Sequence, residues 1–377
     1  SGHIVITNPD MLHQGILPHH TIWIKLFENL KFVVIDEIHH YRGVFGSHLA
    51  NMIRRLKRIA KFYGSSPQFI CCSATIANPL ELAGKIIAEP VYLIDRSGAP
   101  TGKKHFVFYN PPIVNRELGI RRSVINEIRQ LALHLLAAHV QFIVFARSRI
   151  RVEILTRYIK EAAKKLHIST DKVSGYRGGY LPSERRRIER GIKDGDILSV
   201  VSTNALELGI DIGQLDISIL AGYPGTIASA WQQAGRAGRR STTSLTILVA
   251  SSSPLNQYIV ENPAYFFEKS PESGIIDPNN LLILMSHIKC AAFEIPFQKG
   301  EIFGMEGSGE ILEYLTEKNV LRFTDDKYYW MSEIFPAEGV SLRSASPDNV
   351  VIIDKTSDER GIGEVDLFGA QMLVHKD

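Results

Sequence analysis

Two adjacent carboxylates, Asp36 and Glu37, directly follow the apolar segment Phe32–Ile35. A continuous apolar segment is typical of a parallel strand that is buried on both faces. Two neighbouring carboxylates at its end cannot both be buried without partners, so they contact water or hold a cation. Magnesium suits one or two carboxylates combined with water and phosphate oxygens. We therefore expect Asp36 and Glu37 to bind Mg²⁺ through its water shell, with Glu37 orienting an attacking water.

A second candidate group lies in the segment 232–239, which has the spacing QxxGRxGR and contains Gln232, Gly235, Arg236 and Arg239. On a helix the two arginines, three residues apart, share one face. Guanidinium groups are always charged and match phosphate geometry, so this pair could contact the terminal phosphate of a nucleotide as an arginine finger. The alternative is a solvated basic helix end.

Short polar segments follow two other predicted strands. Thr7 and Asn8 follow a β-branched strand predicted at 4–6, where they either hold a backbone phosphate or form an ordinary turn. Ser73 and Thr75 follow the strand predicted at 68–72, where they could sense the carboxylate site. His39 does not have the spaced cysteine or histidine partners of a transition-metal site, so a hydrogen-bonding role is favoured.

Strands alternate with amphipathic helices over most of the sequence, which indicates an α/β protein. The helix predicted at 46–62 carries basic residues that are most simply a solvated face, listed as Arg54, Arg55, Lys57, Arg58 and Lys61. The arginine-rich helix at 184–190 either contacts a phosphate backbone or is solvated. Residues 92–112 are rich in Gly and Pro and are predicted to link two domains.

The composition is that of a globular, enzyme-sized protein. Its 377 residues carry a net charge of +3, so a polyanionic partner must be argued from local clusters of charge. Three cysteines offer neither a disulfide framework nor four zinc ligands, which favours a reducing, cytoplasmic compartment. The most apolar run, 281–293, is too short and too polar to span a bilayer, so no membrane contact is expected. Cys71 and Cys72 are expected to be inert core thiols.

Six short polar motifs occur along the sequence, at 7–10, 36–39, 73–75, 145–148, 202–204 with 209–211, and 232–239. Over about two-thirds of its length the chain resembles the superfamily 2 DExH helicases, in which motifs Ib, II, III, IV, V and VI occur in this order. The segments 41–46, 176–180 and 281–297 carry a closer resemblance. They resemble the bacterial mitomycin repair factor A group, which carries a DUF1998 region and has RecQ-like relatives in fungi.

The resemblance implies two RecA-like parallel-sheet domains, the first incomplete at its N-terminus, with ATP between them and single-stranded nucleic acid across their tops. In that arrangement Arg236 and Arg239 contact the γ-phosphate. The nucleotide is lined by His39, Gly209, Asp211, Gln232 and Gly235. The nucleic-acid strand is contacted by Thr7, Asn8, Arg147, Thr203 and Asn204, and Ser73 and Thr75 couple the two sites.

The domains expected on this basis are the end of RecA-like domain 1 (1–95), a linker (96–115), RecA-like domain 2 (116–255), a winged-helix-like region (256–340) and the start of a small β domain (341–377). The winged helix is expected from a helix at 310–320 followed by two short strands. In related helicases such a region packs on the second motor domain and meets duplex DNA. A plain structural appendage is the alternative.

The resemblance also exposes two departures. The phosphate loop should precede motif Ib, and no GxxxxGK[ST] sequence occurs in these residues, so we expect a fragment that binds ATP weakly. The zinc-binding cysteines of the family should lie beyond Asp377, so no zinc is expected here. Asp36 and Glu37 on one lobe should face Arg239 on the other across a shared triphosphate.

The function expected from the resemblance is an ATP-dependent 3′-to-5′ DNA helicase of DNA repair. It would act on single-stranded and duplex DNA as a monomer in the bacterial cytoplasm, close to the nucleoid. The alternatives are an RNA helicase or duplex translocase with the same motor, and a non-enzymatic DNA-binding fragment.

Overall fold

The structure, a computed structural model, describes residues 3–74, 76–96, 98, 102–177, 180–207, 215–238 and 243–343, with the backbone of two further strands. The chain forms two compact units. The first unit contains Ser1–Ile94 and Ser273–Asp377, and the second contains Asp95–Glu272. The second unit is therefore one continuous segment, whereas the first is built from both ends of the chain.

The chain begins without the strand predicted at 4–6. Ile4 and Ile6 are 83% and 95% exposed, and no described strand lies beside them to provide backbone partners. Four short helical segments follow, in which apolar side chains such as Ile16, Leu17 and Phe27 enter the core. They are α1 (Pro9–Met11), a π-helical turn (Leu12–Ile16), a 3₁₀ turn (His20–Trp23) and α2 (Ile24–Glu28).

Two parallel strands form the first sheet described in the first unit. Strand β1 (Phe32–Ile35) and strand β2 (Gln68–Cys71) pair from Phe32 opposite Gln68 to Ile35 opposite Cys71, which confirms both predicted strands. Helix α3 (Gly43–Phe62) connects them and helix α4 (Pro79–Ile87) follows. The prediction that β1 is buried on both faces is wrong, because Phe32 and Val34 are 58% and 60% exposed and no described element covers that face.

The second unit is built on a six-stranded, fully parallel sheet. Its strands are β3 (Lys104–Tyr109), β6 (Phe142–Phe145), β7 (Val173–Tyr176), β8 (Ser199–Ser202), β9 (Ile217–Ala221) and β10 (Ser244–Val249), in the order β3–β10–β9–β6–β8–β7. A hairpin of β4 (Ile113–Asn115) and β5 (Ile120–Arg121) follows β3. Its helices are α5 (Val124–Ala137), α6 (Arg149–Lys165), α7 (Pro182–Lys193), α8 (Ile227–Ala234), α9 (Pro254–Glu261) and α10 (Pro263–Glu268).

Helices cover both faces of this sheet, as its apolar strands require. Phe142 and Val144 of β6 pack with α5 and α6, whereas Ile143 and Phe145 point to the other face and pack with α7. Helices α8, α9 and α10 also pack beside β9 and β10. Strand β3 lies inside the segment predicted to be a linker, so that prediction is wrong for residues 104–109. The arginines on α7 that were predicted to be solvated or phosphate-bound, Arg186, Arg187 and Arg190, are exposed.

The chain then returns to the first unit as a winged-helix region. It consists of α11 (Leu281–Glu294), β11 (Phe297–Gln298), α12 (Ser308–Glu317), β12 (Leu321–Thr324) and β13 (Lys327–Trp330), with the sheet order β11–β13–β12. The predicted helix and two-stranded wing are confirmed. Asp325 and Asp326 form the turn of the wing with φ values of 50° and 56°. An antiparallel pair follows, β14 (Asn349–Asp354) and β15 (Arg360–Asp366).

The winged-helix region packs on helix α3 of the first unit, and this position corrects the expectation that it joins the second motor domain. It also corrects the prediction of a solvated basic face on α3. Arg55 is fully buried against Glu294 of α11, and Arg58 pairs with Glu301 and donates to backbone oxygens of the same region. A basic helix face is solvated only where no acidic surface covers it, and here the winged-helix region supplies that surface. No helix in the described ranges is long and apolar enough to cross a membrane.

Candidate active site

The carboxylates of Asp36 and Glu37 lie in the loop that follows β1. Glu37 adopts a left-handed conformation, with φ 53°, and its backbone N–H donates to Oδ1 of Asp36 at 2.9 Å. The loop is fixed to β2, because Ile38 N donates to Cys72 O and Cys72 N donates to Ile35 O, each at 2.9 Å. A left-handed non-glycine residue costs roughly 1–2 kcal/mol and persists where neighbouring contacts determine it, often at functional sites.

This pair of carboxylates fits a hydrated magnesium ion. Asp36 is exposed and the Glu37 side chain is 35% exposed, so both can reach a water-coordinated cation. No cluster of three or more metal-binding side chains exists among the described residues. That donor set suits Mg²⁺, which keeps several waters and shares phosphate oxygens, better than zinc, which needs three or four protein ligands.

His39 connects the carboxylate loop to the loop after β2. Its Nδ1 accepts a hydrogen bond from Ala74 N at 3.1 Å and lies 3.3 Å from Oε2 of Glu37. Burial, followed by the charges of His40 and Arg42, lowers the pKa of His39 to about 4. The ring is therefore neutral at pH 7, and its contact with Glu37 is not an ion pair at that pH. Ser73 in the same loop donates to Ala74 O at 2.8 Å.

The segment that contains Thr7 and Asn8 forms the N-terminus of α1. Asn8 caps this helix, since its Oδ1 accepts from Met11 N at 2.8 Å, and both side chains are exposed. The capping role of Asn8 agrees with the alternative that this segment is an ordinary turn. The exposed side chains remain accessible to a nucleic-acid backbone.

In the second unit, the ends of adjacent strands bring Arg147, Thr203 and Asn204 together. Phe145 of β6 pairs with Ser202 of β8, and Ala146 N donates to Ser202 O at 2.8 Å. Thr203 Oγ1 then accepts from Ala205 N and caps the 3₁₀ turn Asn204–Leu206. Arg147 and Asn204 are exposed. Carboxyl ends of parallel strands are where open α/β sheets bind their ligands.

Residues of the arginine-rich segment are tied to the loop after β8 through Glu207. Gln233 is buried and donates to Oε2 of Glu207 at 2.9 Å, while Arg236 donates through Nε and Nη2 to Glu207 O at 3.1 and 2.9 Å. The sequence prediction missed Glu207 and Gln233, because burial of a polar side chain leaves no signal in a sequence pattern. Gln233 could have been suspected only from its position beside Gln232.

The expectation that Arg236 lies on a helix is wrong. Helix α8 includes Gln232 but ends at Ala234, and Gly235 is its C-cap. Arg236 follows in a turn whose backbone pairs with Leu215, and Gly238 has φ 103°. The guanidinium of Arg236 is therefore placed by its bonds to Glu207 O instead of by helical periodicity. Four predicted site residues lie outside the described residues: Thr75, Gly209, Asp211 and Arg239.

Three family models match the chain in order. They are the DEAD/DEAH box helicase at residues 1–82, the helicase conserved C-terminal domain at 123–241, and the winged helix domain of ATP-dependent helicase HRQ1 at 276–345. A crystal structure of the DUF1998 helicase MrfA bound to DNA and AMPPNP superposes with a TM-score of 0.88 at 62% identity, over 98% of this chain and 52% of that one. The chain belongs to the superfamily 2 helicases of the MrfA group.

Two curated relatives agree with this assignment. The ATP-dependent helicase YprA of Bacillus subtilis is 62% identical over 379 residues, which cover 100% of this chain and 50% of YprA. The ATP-dependent helicase HRQ1 of Saccharomyces cerevisiae is 39% identical over 374 residues, which cover 95% of this chain and 34% of HRQ1. The chain thus spans half or less of the length of these helicases. The predicted fold class, RecA-like domains followed by a winged helix, is confirmed.

Proposed function

We propose that the chain is the motor portion of an ATP-dependent DNA helicase of DNA repair, which couples ATP hydrolysis to 3′-to-5′ movement on single-stranded DNA. The observation that carries this proposal is the hydrogen bond from Ala74 N to Nδ1 of His39, since it joins the loop of Asp36 and Glu37 to the next sheet loop. The names of the relatives and the DNA and AMPPNP in the MrfA crystal support it.

The proposal gives the following residues a role in binding the nucleotide. Asp36 and Glu37 would hold Mg²⁺, which would neutralise negative charge on the phosphates of the nucleotide. Glu37 orients the attacking water. Arg236, already held at Glu207 O, and Arg239 contact the γ-phosphate, and a guanidinium positioned beforehand loses little entropy when it binds. The nucleotide is further lined by His39, Gly209, Asp211, Gln232 and Gly235.

The contacts with the nucleic-acid strand are assigned to residues at loop ends, of which Thr7, Asn8, Arg147 and Asn204 are exposed. Thr7 and Asn8 in the first unit, and Arg147, Thr203 and Asn204 in the second, contact phosphates of the bound strand. Ser73 and Thr75 couple the strand to the carboxylate site through the backbone that His39 binds. We further propose that the protein acts as a monomer in the bacterial cytoplasm, near the nucleoid, without zinc in this part of its sequence.

The domain limits remain part of this proposal. RecA-like domain 1 ends near residue 95, and a small β domain begins near 341. Because strand β3 and helices α9 and α10 pack within the second unit, RecA-like domain 2 extends over about 104–272 instead of 116–255, and the winged-helix region begins near 276 instead of 256.

The test uses the chain extended to the full length of its relatives. DNA-stimulated ATP hydrolysis should fall by about 10³-fold or more with Arg239→Ala, as arginine fingers contribute that much. Arg240→Ala is the matched control, because the QxxGRxGR spacing does not include Arg240, and it should retain the parent rate. Equal hydrolysis by the Arg239→Ala protein would show that the arginine-finger assignment is wrong.

Substrate and direction need a second assay. Partial duplexes of DNA or RNA with a 3′ or a 5′ tail should be unwound only when a DNA strand carries the 3′ tail. Unwinding of RNA would favour the RNA helicase. Hydrolysis without unwinding would favour a duplex translocase, and DNA binding without hydrolysis would favour a non-enzymatic fragment.

A further inference from the structure

A segment beyond the wing packs against the first residues of the chain. We call residues 335–343 the positioning arm. Ala337, Val340 and Leu342 of the arm are buried in the same hydrophobic cluster as Ile16 and Leu17, which end the π-helical turn. Phe335 stacks on the ring of His19, with 5.9 Å between centroids and 18° between planes. The arm therefore covers the helical turn that follows the exposed loop at Thr7 and Asn8.

A buried histidine anchors this turn from two sides. His13 lies 3.2 Å from Ala337 O through Nε2 and 2.7 Å from Nη1 of Arg55 through Nδ1. A guanidinium can only donate, so Nδ1 accepts and the ring proton lies on Nε2, which donates to Ala337. The turn after the loop is thereby joined both to helix α3 and to the positioning arm.

The last described residue of the arm reaches the loop itself. Arg343 donates to both carboxylate oxygens of Asp10, through Nη1 at 2.8 Å and Nη2 at 3.0 Å. Its guanidinium carbon lies 4.8 Å from the ring centroid of Phe45, which limits the orientations of the side chain. Asp10 lies in the first turn of α1, two residues after the capping Asn8. The hydrogen bonds from Arg343 lower the pKa of Asp10, so this carboxylate is charged when it is paired.

We propose that Arg343 is a positioning residue for the strand-contacting loop, acting by holding and neutralising Asp10. A bare carboxylate beside Thr7 and Asn8 would repel the phosphate that these residues are proposed to contact. The bidentate pair removes this repulsion and fixes the first turn of α1 to the arm. This inference rests on the proposed function, because it requires the strand to pass Thr7 and Asn8.

The pair is accessible, so its removal should leave the fold intact. The side chains of Arg343 and Asp10 are 63% and 46% exposed, and pairs of this kind contribute little to stability. In the full-length protein, Arg343→Ala should raise the single-stranded DNA concentration at half-maximal ATPase stimulation by about two- to fivefold. The rate at saturating DNA should not change. Arg343→Lys, which keeps the charge without the bidentate geometry, should give an intermediate shift.

A second substitution distinguishes positioning from direct contact. If Arg343 acts through Asp10, the double variant Asp10→Asn with Arg343→Ala should recover most of the lost affinity, because no bare carboxylate remains. If Arg343 itself binds DNA, Asp10→Asn will recover nothing, and the positioning role is overturned. Arg157→Ala removes another exposed arginine that is paired with a carboxylate, that of Glu161, and is the matched control.

Thr7→Ala separates this inference from the function on which it rests. A raised DNA requirement with Thr7→Ala but not with Arg343→Ala would leave the strand contact standing and overturn the role of Arg343. An unchanged requirement with Thr7→Ala would remove the strand contact and the positioning role together. Matching shifts in both variants, with rescue by Asp10→Asn, would support the inference.

Discussion

The guanidinium of Arg55 contacts both carboxylate oxygens of Glu294 in the interior of the first unit. Nε lies 3.0 and 3.1 Å from the two oxygens, and Nη2 also contacts Oε1. The two side chains are 0% and 1% exposed. Because Nη1 also contacts His13, one side chain joins helix α3, helix α11 and the π-helical turn. The winged-helix region is therefore attached to the first unit by a buried charge pair as well as by apolar contacts.

Removal of one member of this pair should destabilise the first unit strongly. Arg55→Met leaves the Glu294 carboxylate buried without its partner, and such a loss typically costs about 3–5 kcal/mol. The double variant Arg55→Met with Glu294→Leu should be more stable than Arg55→Met alone, since no buried charge is left. Urea unfolding monitored by circular dichroism measures both.

The exposed pair of Arg157 and Glu161 on α6 is the matched control for this prediction. Its side chains are 80% and 47% exposed, so Arg157→Met should change the free energy of unfolding by less than about 0.5 kcal/mol. If Arg55→Met and Arg157→Met lower the free energy of unfolding by similar amounts, burial does not explain the contribution of the Arg55 pair to stability.

The sequence was sufficient to predict elements whose burial is local. A continuous apolar run indicates β6, and 3.6-residue periodicity indicates α5 and α6, because each signal lies within the element itself. The environment of Arg55 could not be predicted in this way. Its partner is 239 residues away in sequence, so the pattern of α3 alone cannot distinguish a buried arginine from a solvated one.

The candidate site was predicted only in part, because only some of its residues are placed by signals that are local in the sequence. Asp36 follows a predicted strand and Thr203 follows another, so their places at strand ends required only local signals. Arg236 was misplaced because helical periodicity was extended past Ala234, where Gly235 ends α8. Strand β3 was missed because the Gly and Pro residues around it favoured a linker, although Phe106 and Phe108 alternate as core-facing residues of a strand do.

Substitution of Gly46 should disrupt the first turn of α3. A Cβ atom at this position would lie 2.3 Å from Tyr41 O and 2.5 Å from Cγ2 of Ile276, closer than any van der Waals contact. Gly46→Ala should lower stability by about 1–3 kcal/mol through this overpacking. Gly309→Ala in α12, where nothing lies within 4 Å, should raise stability by about 0.5–1 kcal/mol. If the melting temperatures of the Gly46→Ala and Gly309→Ala variants shift in the same direction, this explanation is wrong.

The cysteines should differ in their reactivity. Cys72 is exposed, which corrects the expectation of a core thiol, whereas Cys290 is buried. Burial raises the pKa of Cys71 to about 11 and also that of Cys290 to about 11, so neither forms much of the reactive thiolate near neutral pH. Maleimide labelling of the folded chain should show one fast thiol. Cys72→Ser should abolish this fast phase, and a fast phase that persists would assign the reactive thiol to another cysteine.

Acid should destabilise the first unit before its carboxylates are protonated. Burial lowers the pKa of His13 to about 3 and that of His39 to about 4, and also lowers the pKa of His287 well below its ordinary value of 6.5. Below pH 6.5 the unfolded chain binds protons at these histidines that the folded chain does not. Stability is therefore full above pH 6.5 and falls as the pH decreases towards 4, by up to roughly 1.4 kcal/mol per pH unit for each of these histidines.

The urea midpoint measured between pH 7.5 and pH 4.5 tests this prediction. Asp10 and Glu301, whose pKa values are lowered by Arg343 and Arg58, lose their stabilising charge only below about pH 4.5, so the histidine effect can be measured above that range. His13→Asn should reduce the slope of stability against pH, because one proton fewer is taken up on unfolding. His134→Asn, on the exposed side of α5, is the control. A midpoint that stays constant between pH 7.5 and 4.5 would mean that these histidines accept protons in the folded state, and the hydrogen bonds assigned to neutral His13 and His39 would then be wrong.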